Sequence, residues 1–355
     1  MAIDRFTHTP QNIDVFFGNG RFQETAEIMG RHDLNKVIVL STNSDRARAL
    51  AESAGEQLGD RLAGYFSDCV EQVPVENAAK VQALAKSLNV DGVLCVGGGS
   101  TVGHGKAVAL EHDVKLFHVV TTYSGSEMTE SQGFTENGMK RVLRNDRMRA
   151  DGVIYDPELT VSLPPHVSGP SGMNAMAHCV EGLYGKDADP IRSLLAGAGI
   201  KALGASLPGV VARPDDLDAR GEALFGAYMS GQSILAGVCL HHAAAHVLGG
   251  SFGIPHAIAH TLALPHTIAY NRDSIPAAMA VLTGALDCDD GPQGLFDLSK
   301  RLGIDLALAS HGFDRSMIDK AVSILMDHPF PNPKPLERNA LAGMFENMID
   351  GKRPD

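Results

Sequence analysis

The residues of this chain best able to do chemistry lie in three short stretches. Gly172-Met-Asn-Ala-Met-Ala-His178 places Asn174 and His178 four apart, and His241-His242-Ala-Ala-Ala-His246 does the same for His242 and His246. His256 follows in Gly253-Ile-Pro-His256. Each i, i+4 pair shares one face of a helix. Imidazoles so spaced suit zinc or ferrous iron when a carboxylate completes the set. Asn174 offers a neutral amide oxygen at the fourth place, which weakens charge compensation and metal affinity. Glu181, three residues after His178, is the nearest carboxylate that could substitute. Burying several imidazoles among Ala, Gly, Val and Leu is costly unless they find partners, so convergence of His178, His242, His246 and His256 is expected. His241, His260 and His266 are expected to be core histidines.

These groups need helices to carry them. Ile191–Leu207 and Glu222–Leu248 are rich in Ala, Gly, Leu and Met, and the half from about residue 161 onward is expected to be all-helical. The half before it alternates apolar β-branched runs with helical segments, as in a parallel α/β sheet. Strands are expected at 36–42, 90–96 and 115–122, and helices at 44–57 and 75–88. Gly97-Gly-Gly-Ser-Thr101 joins the second of these strands to a helix. Glycines allow close approach of backbone to a ligand, and the following helix N-terminus favours a phosphate. The carboxyl end of a strand is where open α/β sheets bind ligands. Thr121-Thr-Tyr-Ser-Gly-Ser-Glu127 follows the third strand and could line the same crevice. The basic stretch Lys140–Arg149 reads as a solvated hairpin or loop, with one or two members reaching an anionic ligand.

A net charge of -12 argues against nucleic acid or an anionic membrane as partner. Five cysteines without a CxxC pair read as buried thiols in a reducing compartment. With no signal region and no 18-residue apolar run evident, the expectation is a cytoplasmic protein.

Taken in order, Phe16-Phe-Gly-Asn-Gly20, the Gly97–Ser100 loop, Thr121–Glu127, Tyr155-Asp-Pro-Glu-Leu-Thr160, the histidine segments and Asn332-Pro-Lys-Pro335 resemble the iron-containing alcohol dehydrogenase superfamily. Within it the resemblance is to the maleylacetate reductase branch, and it runs over nearly the whole chain. It implies a Rossmann-like parallel-sheet NAD(P)-binding domain, residues 1–160, and an all-helical substrate and catalytic domain, residues 161–355. The active site would lie in the cleft between them, and the protein would be a homodimer.

By position, Asn174, His178, His242 and His256 occupy the family's four metal-ligand places, here vestigial and expected to hold no metal. His246 occupies the place of a histidine near nicotinamide and substrate. His246, His242, His178 and His256 are thus the catalytic candidates. Asn174, Tyr123 and Ser124 are the candidates for substrate. Gly97, Gly98, Gly99, Ser100 and Thr101 would cradle the pyrophosphate, with Thr121, Thr122, Ser126 and Lys140 holding the rest of the cofactor. Thr42 and Asn43 stand where many NAD-preferring members carry an acid, so a 2′-phosphate is not repelled and NADH or NADPH is expected. Tyr155–Thr160 would be the interdomain strand. The expected activity is reduction of the carbon–carbon double bond of maleylacetate to 3-oxoadipate in aromatic-compound degradation. A metal-dependent alcohol or hydroxy-acid dehydrogenase on the same fold is the alternative; a nucleotide-binding module without catalysis would have no use for the histidines.

Overall fold

The computed structural model describes residues 5–136 and 139–355; the side chains of Met139 and Lys140 lie outside the described residues, and with them the cofactor role expected of Lys140. Two compact units emerge. One is Pro10–Leu163, and the other joins Pro164–Asp355 to the described residues before Pro10. The division falls at Leu163/Pro164 rather than at 160. Tyr155–Thr160 is not a strand in full. The strand ends at Tyr155, and Asp156 then caps a 3-10 turn over Pro157–Thr160 by accepting from the Glu158 N–H at 3.0 Å.

The first unit runs β1 (Asp14–Phe17), α1 (Thr25–Arg31), β2 (Val37–Leu40), α2 (Asp45–Leu58), β3 (Leu62–Phe66), α3 (Val75–Leu88), β4 (Gly92–Gly97), α4 (Gly99–Glu111), β5 (Lys115–Val120), a hairpin of β6 (Ser131–Glu136) and β7 (Met139–Arg144), and β8 (Gly152–Tyr155). Six strands form a parallel sheet in the order β1-β8-β5-β4-β2-β3. β2 and β4 are buried along their whole length, as expected of strands covered on both faces. Apolar clusters fill both sides, one with Val37, Val39, Leu94 and Val119, the other with Ile38, Leu40, Val93 and Leu116. The chain leaves β2 toward β3, returns to pair β4 on the other side of β2, and continues to β5. Strand order therefore reverses between β2 and β4, the switch point at which such sheets open a crevice. Cys69, Cys95, Cys179 and Cys239 are buried free thiols and Cys288 is half-buried.

The second unit consists of α5 (Pro165–Gly182), α6 (Pro190–Ala212), α7 (Leu217–Ser233), α8 (Leu240–Phe252), α9 (His256–Asn271), α10 (Pro276–Leu286), α11 (Gly291–Arg301), α12 (Ile318–Asp327) and α13 (Arg338–Ile349). Two sequence expectations change here. The run 222–248 is not one helix: a 3-10 turn and Gly237, at φ 98°, bend α7 away from α8 by 105°. A positive φ of that size favours glycine, and Cβ at this position would meet nothing closer than 3.5 Å, so the requirement is conformational, not steric. An apolar run also exists after all. α6 is long and apolar enough to cross a membrane, with a mean hydropathy of 1.5 over its most apolar window. It packs against α5, α7 and α10, and Ala196, Ile200, Leu203 and Leu207 on one of its faces are fully buried, which is how a core helix uses such composition.

Candidate active site

The glycine loop belongs to the first unit. Gly98 is the extended residue before α4, and no side chain caps that helix. The N–H groups of its first turn are thus left for a ligand. A Cβ on Gly98 would stand 2.6 Å from Thr122 Oγ1, and one on Gly97 would strike Thr101. The loop after β4 thereby lies against the loop after β5, and the Thr121 N–H donates to Gly97 O at 3.1 Å. Ser124, a substrate candidate by sequence, stands instead beside the glycine loop: a Cβ on Gly99 would find Ser124 Oγ at 3.5 Å and Ser126 Oγ at 3.9 Å. These two hydroxyls bond each other at 2.8 Å. Free N–H groups, small residues and hydroxyls make a cradle that fits a pyrophosphate. Thr42 and Asn43 sit past the end of β2 and no acid replaces them: Thr42 Oγ1 is 3.4 Å from Ser44 Oγ, and Asn43 Oδ1 accepts from Arg48.

Tyr123, a substrate candidate, is fully buried with its hydroxyl 3.5 Å from Thr160 Oγ1. The basic stretch is a hairpin and turn, as expected, and three of its arginines face acids of their own unit: Arg141 pairs with Glu136, Arg144 with the buried Glu130, and Arg149 with Asp146.

The histidines gather in the second unit, carried by α5, α8 and α9. The rings of His178 and His242 stack at 5.2 Å, and those of His246 and His256 at 6.2 Å. His260, expected in the core, is the hub. It stands edge-on to His256 at 4.4 Å, His242 at 4.8 Å, His241 at 4.9 Å, and His178 and His246 at 6.2 Å each. His241 belongs to the cluster as well: ligand atoms of His241, His242 and His260 lie within 4.8 Å of one another. His266 alone behaves as expected, buried with its ring edge-on to Phe296. The i, i+4 spacing of His256 and His260 was available in the sequence, whereas the inward direction of His241 was not. Asn174, His178 and His242 are nearly buried, but His246 and His256 are only half-buried, so the cluster is more open on their side.

Glu181 does not take the missing ligand's place. Its Oε2 accepts from the Cys239 N–H at 3.1 Å and from His242 Nδ1 at 2.5 Å, and its Oε1 accepts from the His241 N–H at 2.9 Å. The Leu240 N–H at the same helix start donates to Asn332 Oδ1 at 3.2 Å. The bend after α7 exposes these donors, and an acid at a helix N-terminus is well placed. Holding His242 by Nδ1–H leaves Nε2 as its open atom.

A second chain fixes His260. Thr267 commits its hydroxyl hydrogen to Ala263 O or Leu264 O, so it can only accept from His241 Nδ1, at 3.3 Å. His241 Nε2 then accepts from His260 Nδ1 at 2.9 Å, and His260 presents Nε2 without a proton. Burial first, and neighbouring imidazoles second, hold His178, His241 and His260 well below the usual imidazole range. Four buried atoms of this cluster lack a partner: Asn174 Oδ1, His178 Nδ1, His242 Nε2 and His260 Nε2. Each such orphan costs about 1–3 kcal/mol, which a bound polar ligand offsets. As a cage for a divalent ion the set is uniformly neutral, because its nearest carboxylate is occupied.

The family profile described as iron-containing alcohol dehydrogenase matches residues 12–157, and that of the C-terminal part of the same family matches 169–349. The chain belongs to the iron-containing alcohol dehydrogenase family. It is 42% identical over 342 residues to a maleylacetate reductase of Burkholderia cepacia, covering 96% of each chain. The crystal structure of maleylacetate reductase from Agrobacterium tumefaciens superposes with a TM-score of 0.95 at 37% identity, over 99% of this chain and 100% of that one. That of the enzyme from Rhizobium sp. strain MTP-10005 gives 0.94 at 38%, over the same shares.

Proposed function

We propose that this protein reduces the carbon–carbon double bond of maleylacetate, using NADH or NADPH, in the breakdown of aromatic compounds. The observation that carries the reading is the buried set of unpartnered polar atoms on Asn174, His178, His242 and His260, in a chain about 40% identical to maleylacetate reductases. The substrate is a dianion, and an aspartate at position 174 would repel it. The amide does not, and can donate a hydrogen bond.

A nicotinamide held there would supply a hydride to the carbon β to the ketone. Negative charge then gathers on the ketone oxygen. Asn174, His178 and His256 bind the enolate and carboxylate oxygens, as preorganised donors do. In its imidazolium form His242 delivers the Nε2 proton to the carbon α to the ketone and returns to the neutral tautomer, its Nδ1–H staying with Glu181. His246, half-buried, is the second candidate for that proton. Gly97–Thr101, Thr121, Thr122, Ser124 and Ser126 would hold the cofactor, with Thr42 and Asn43 toward its adenosine end. No step is assigned to a metal, since a buried divalent ion would find only neutral ligands at the four family positions. The protein acts in the cytoplasm as a homodimer, as the family resemblance implies.

The deciding experiment is a steady-state screen of maleylacetate against simple aldehydes, with each nicotinamide cofactor and with and without chelator. Maleylacetate reduction that survives chelation is expected. Activity confined to aldehydes, or abolished by chelation of a stoichiometric metal, would sink the proposal. The second outcome would favour the metal-dependent alternative, for which the open imidazole nitrogens are the supporting observation.

A further inference from the structure

Among the described residues, one lysine is buried: Lys106, two turns into α4. Its Nζ donates to Ser126 O at 2.7 Å, Ser131 O at 2.9 Å and Thr129 Oγ1 at 3.0 Å. Thr129 points its own hydroxyl hydrogen at Ser126 O or Ser131 O, so its oxygen is free to accept. Three acceptors match the three N–H bonds of an ammonium. A neutral amine would turn a lone pair toward one of those oxygens.

The titratable groups around the ammonium are Glu127, Glu130, Cys95 on β4 and His118 on β5. Glu127 is held by the Tyr155 hydroxyl at 2.7 Å, and Glu130 by Gln11 at 2.8 Å and Arg144 at 2.7 Å. An apolar side chain of the same length would fill the site without the cost of burying a charge. What only the ammonium does is tie α4 to the main chain of Ser126–Ser131. That segment begins where Ser124 and Ser126 set their hydroxyls against Gly99, the first residue of the same helix.

We propose that Lys106 is a positioning residue for the dinucleotide, clamping the Ser126–Ser131 main chain to α4 and so fixing the Ser124 and Ser126 hydroxyls over the Gly97–Ser100 loop. It touches no cofactor atom itself. The inference rests on the reading of that loop as a dinucleotide site. Without the clamp the serines drift from the cradle and cofactor affinity falls. Hydride acceptance and proton delivery depend on other residues and suffer less. The clamp requires the charged amine. Burial pushes Lys106 down to about 7 against the pull of Glu127 and Glu130, so affinity is present below that pH and lost as pH rises through it.

The test titrates NADH, without substrate, into the wild-type protein, Lys106→Met and Thr129→Val between about pH 6 and 9, and then measures KM and kcat. Wild-type affinity is expected to fall as pH rises. Lys106→Met should bind NADH about tenfold more weakly at the acid end with a flattened pH profile, and its KM should rise more than its kcat falls. Thr129→Val keeps the ammonium and two of its three acceptors, and should weaken binding by a few-fold; it decides the matter if Lys106→Met does not fold. A wild-type protein that does not bind NADH would remove the dinucleotide reading itself. Wild-type binding with unchanged affinity in both variants, a flat wild-type pH profile, or a loss of kcat at unchanged affinity would overturn the clamp.

Discussion

The glycine loop and the histidine cluster solve opposite problems with opposite materials. The loop offers main-chain N–H groups and small residues, and its ligand site exists because side chains are missing: a Cβ on Gly98 would fill it. The cluster is all side chain, and its open atoms exist because partners elsewhere have claimed the others. Glu181 takes Nδ1 of His242; Thr267, through His241, takes Nδ1 of His260. A main-chain site is damaged by adding atoms. A side-chain site is damaged by changing which nitrogen carries a hydrogen.

The largest effect should come from His242→Gln. Loss of a general acid costs about 10²–10⁴-fold in rate, so kcat should fall within that range while NADH affinity stays put. A parallel loss of NADH binding would break the separation between the two regions. Gly98→Ala should do the converse and raise the NADH dissociation constant about 10–100-fold, because the Thr122 side chain must give way. Glu181→Gln comes next. Its amide N–H₂ would oppose His242 Nδ1–H and force the other tautomer; outer-sphere partners of this sort are worth about 10–100-fold. A thermal midpoint lowered alongside kcat is expected, since the same carboxylate accepts two N–H groups of α8.

Asn174→Asp should gain metal affinity, read by metal analysis, and weaken maleylacetate turnover; no change in either would remove the account given of Asn174. The smallest effect is one of stability. His118 is pushed down to about 3 and His266 to about 4 by burial, and His178, His241 and His260 also lie low. Folded values below the unfolded one mean that the unfolded chain binds more protons as pH falls below about 6.5. Stability is thus whole above that pH and declines below it, by up to about 1.4 kcal/mol per pH unit for each such histidine. Denaturant midpoints at successive pH values check this, and a flat profile would mean that the cluster is hydrated.

How far the sequence could be read follows the same division. The glycine loop is contiguous, lies between a β-branched run and a helix, and was legible together with the parallel sheet around it. Helix 75–88 was legible to the residue. The histidines were legible as a group through i, i+4 spacing, but not the order within it. His260 as hub and His241 as its partner depend on three helices meeting, which no local pattern records. The burial of Tyr123 follows from alternation along its segment, which its hydroxylated neighbours hide. The break at Gly237 was hidden by a run of small apolar residues that reads as helix on both sides.

That break has a use in reading other chains. Had α7 run on into α8, the N–H groups of residues 239–241 would have been spent inside a helix, and Glu181 would have had nothing to grip except His242. One glycine at φ 98° converts a long helix into a helix end, and the end recruits the acid. A search for this arrangement in unfamiliar sequences should therefore look past histidine spacing. The more telling signature is a glutamate three residues after a helical histidine, paired with a glycine just ahead of the next histidine helix. A sequence that keeps the histidines but loses either member would be expected to present a different nitrogen to whatever it binds.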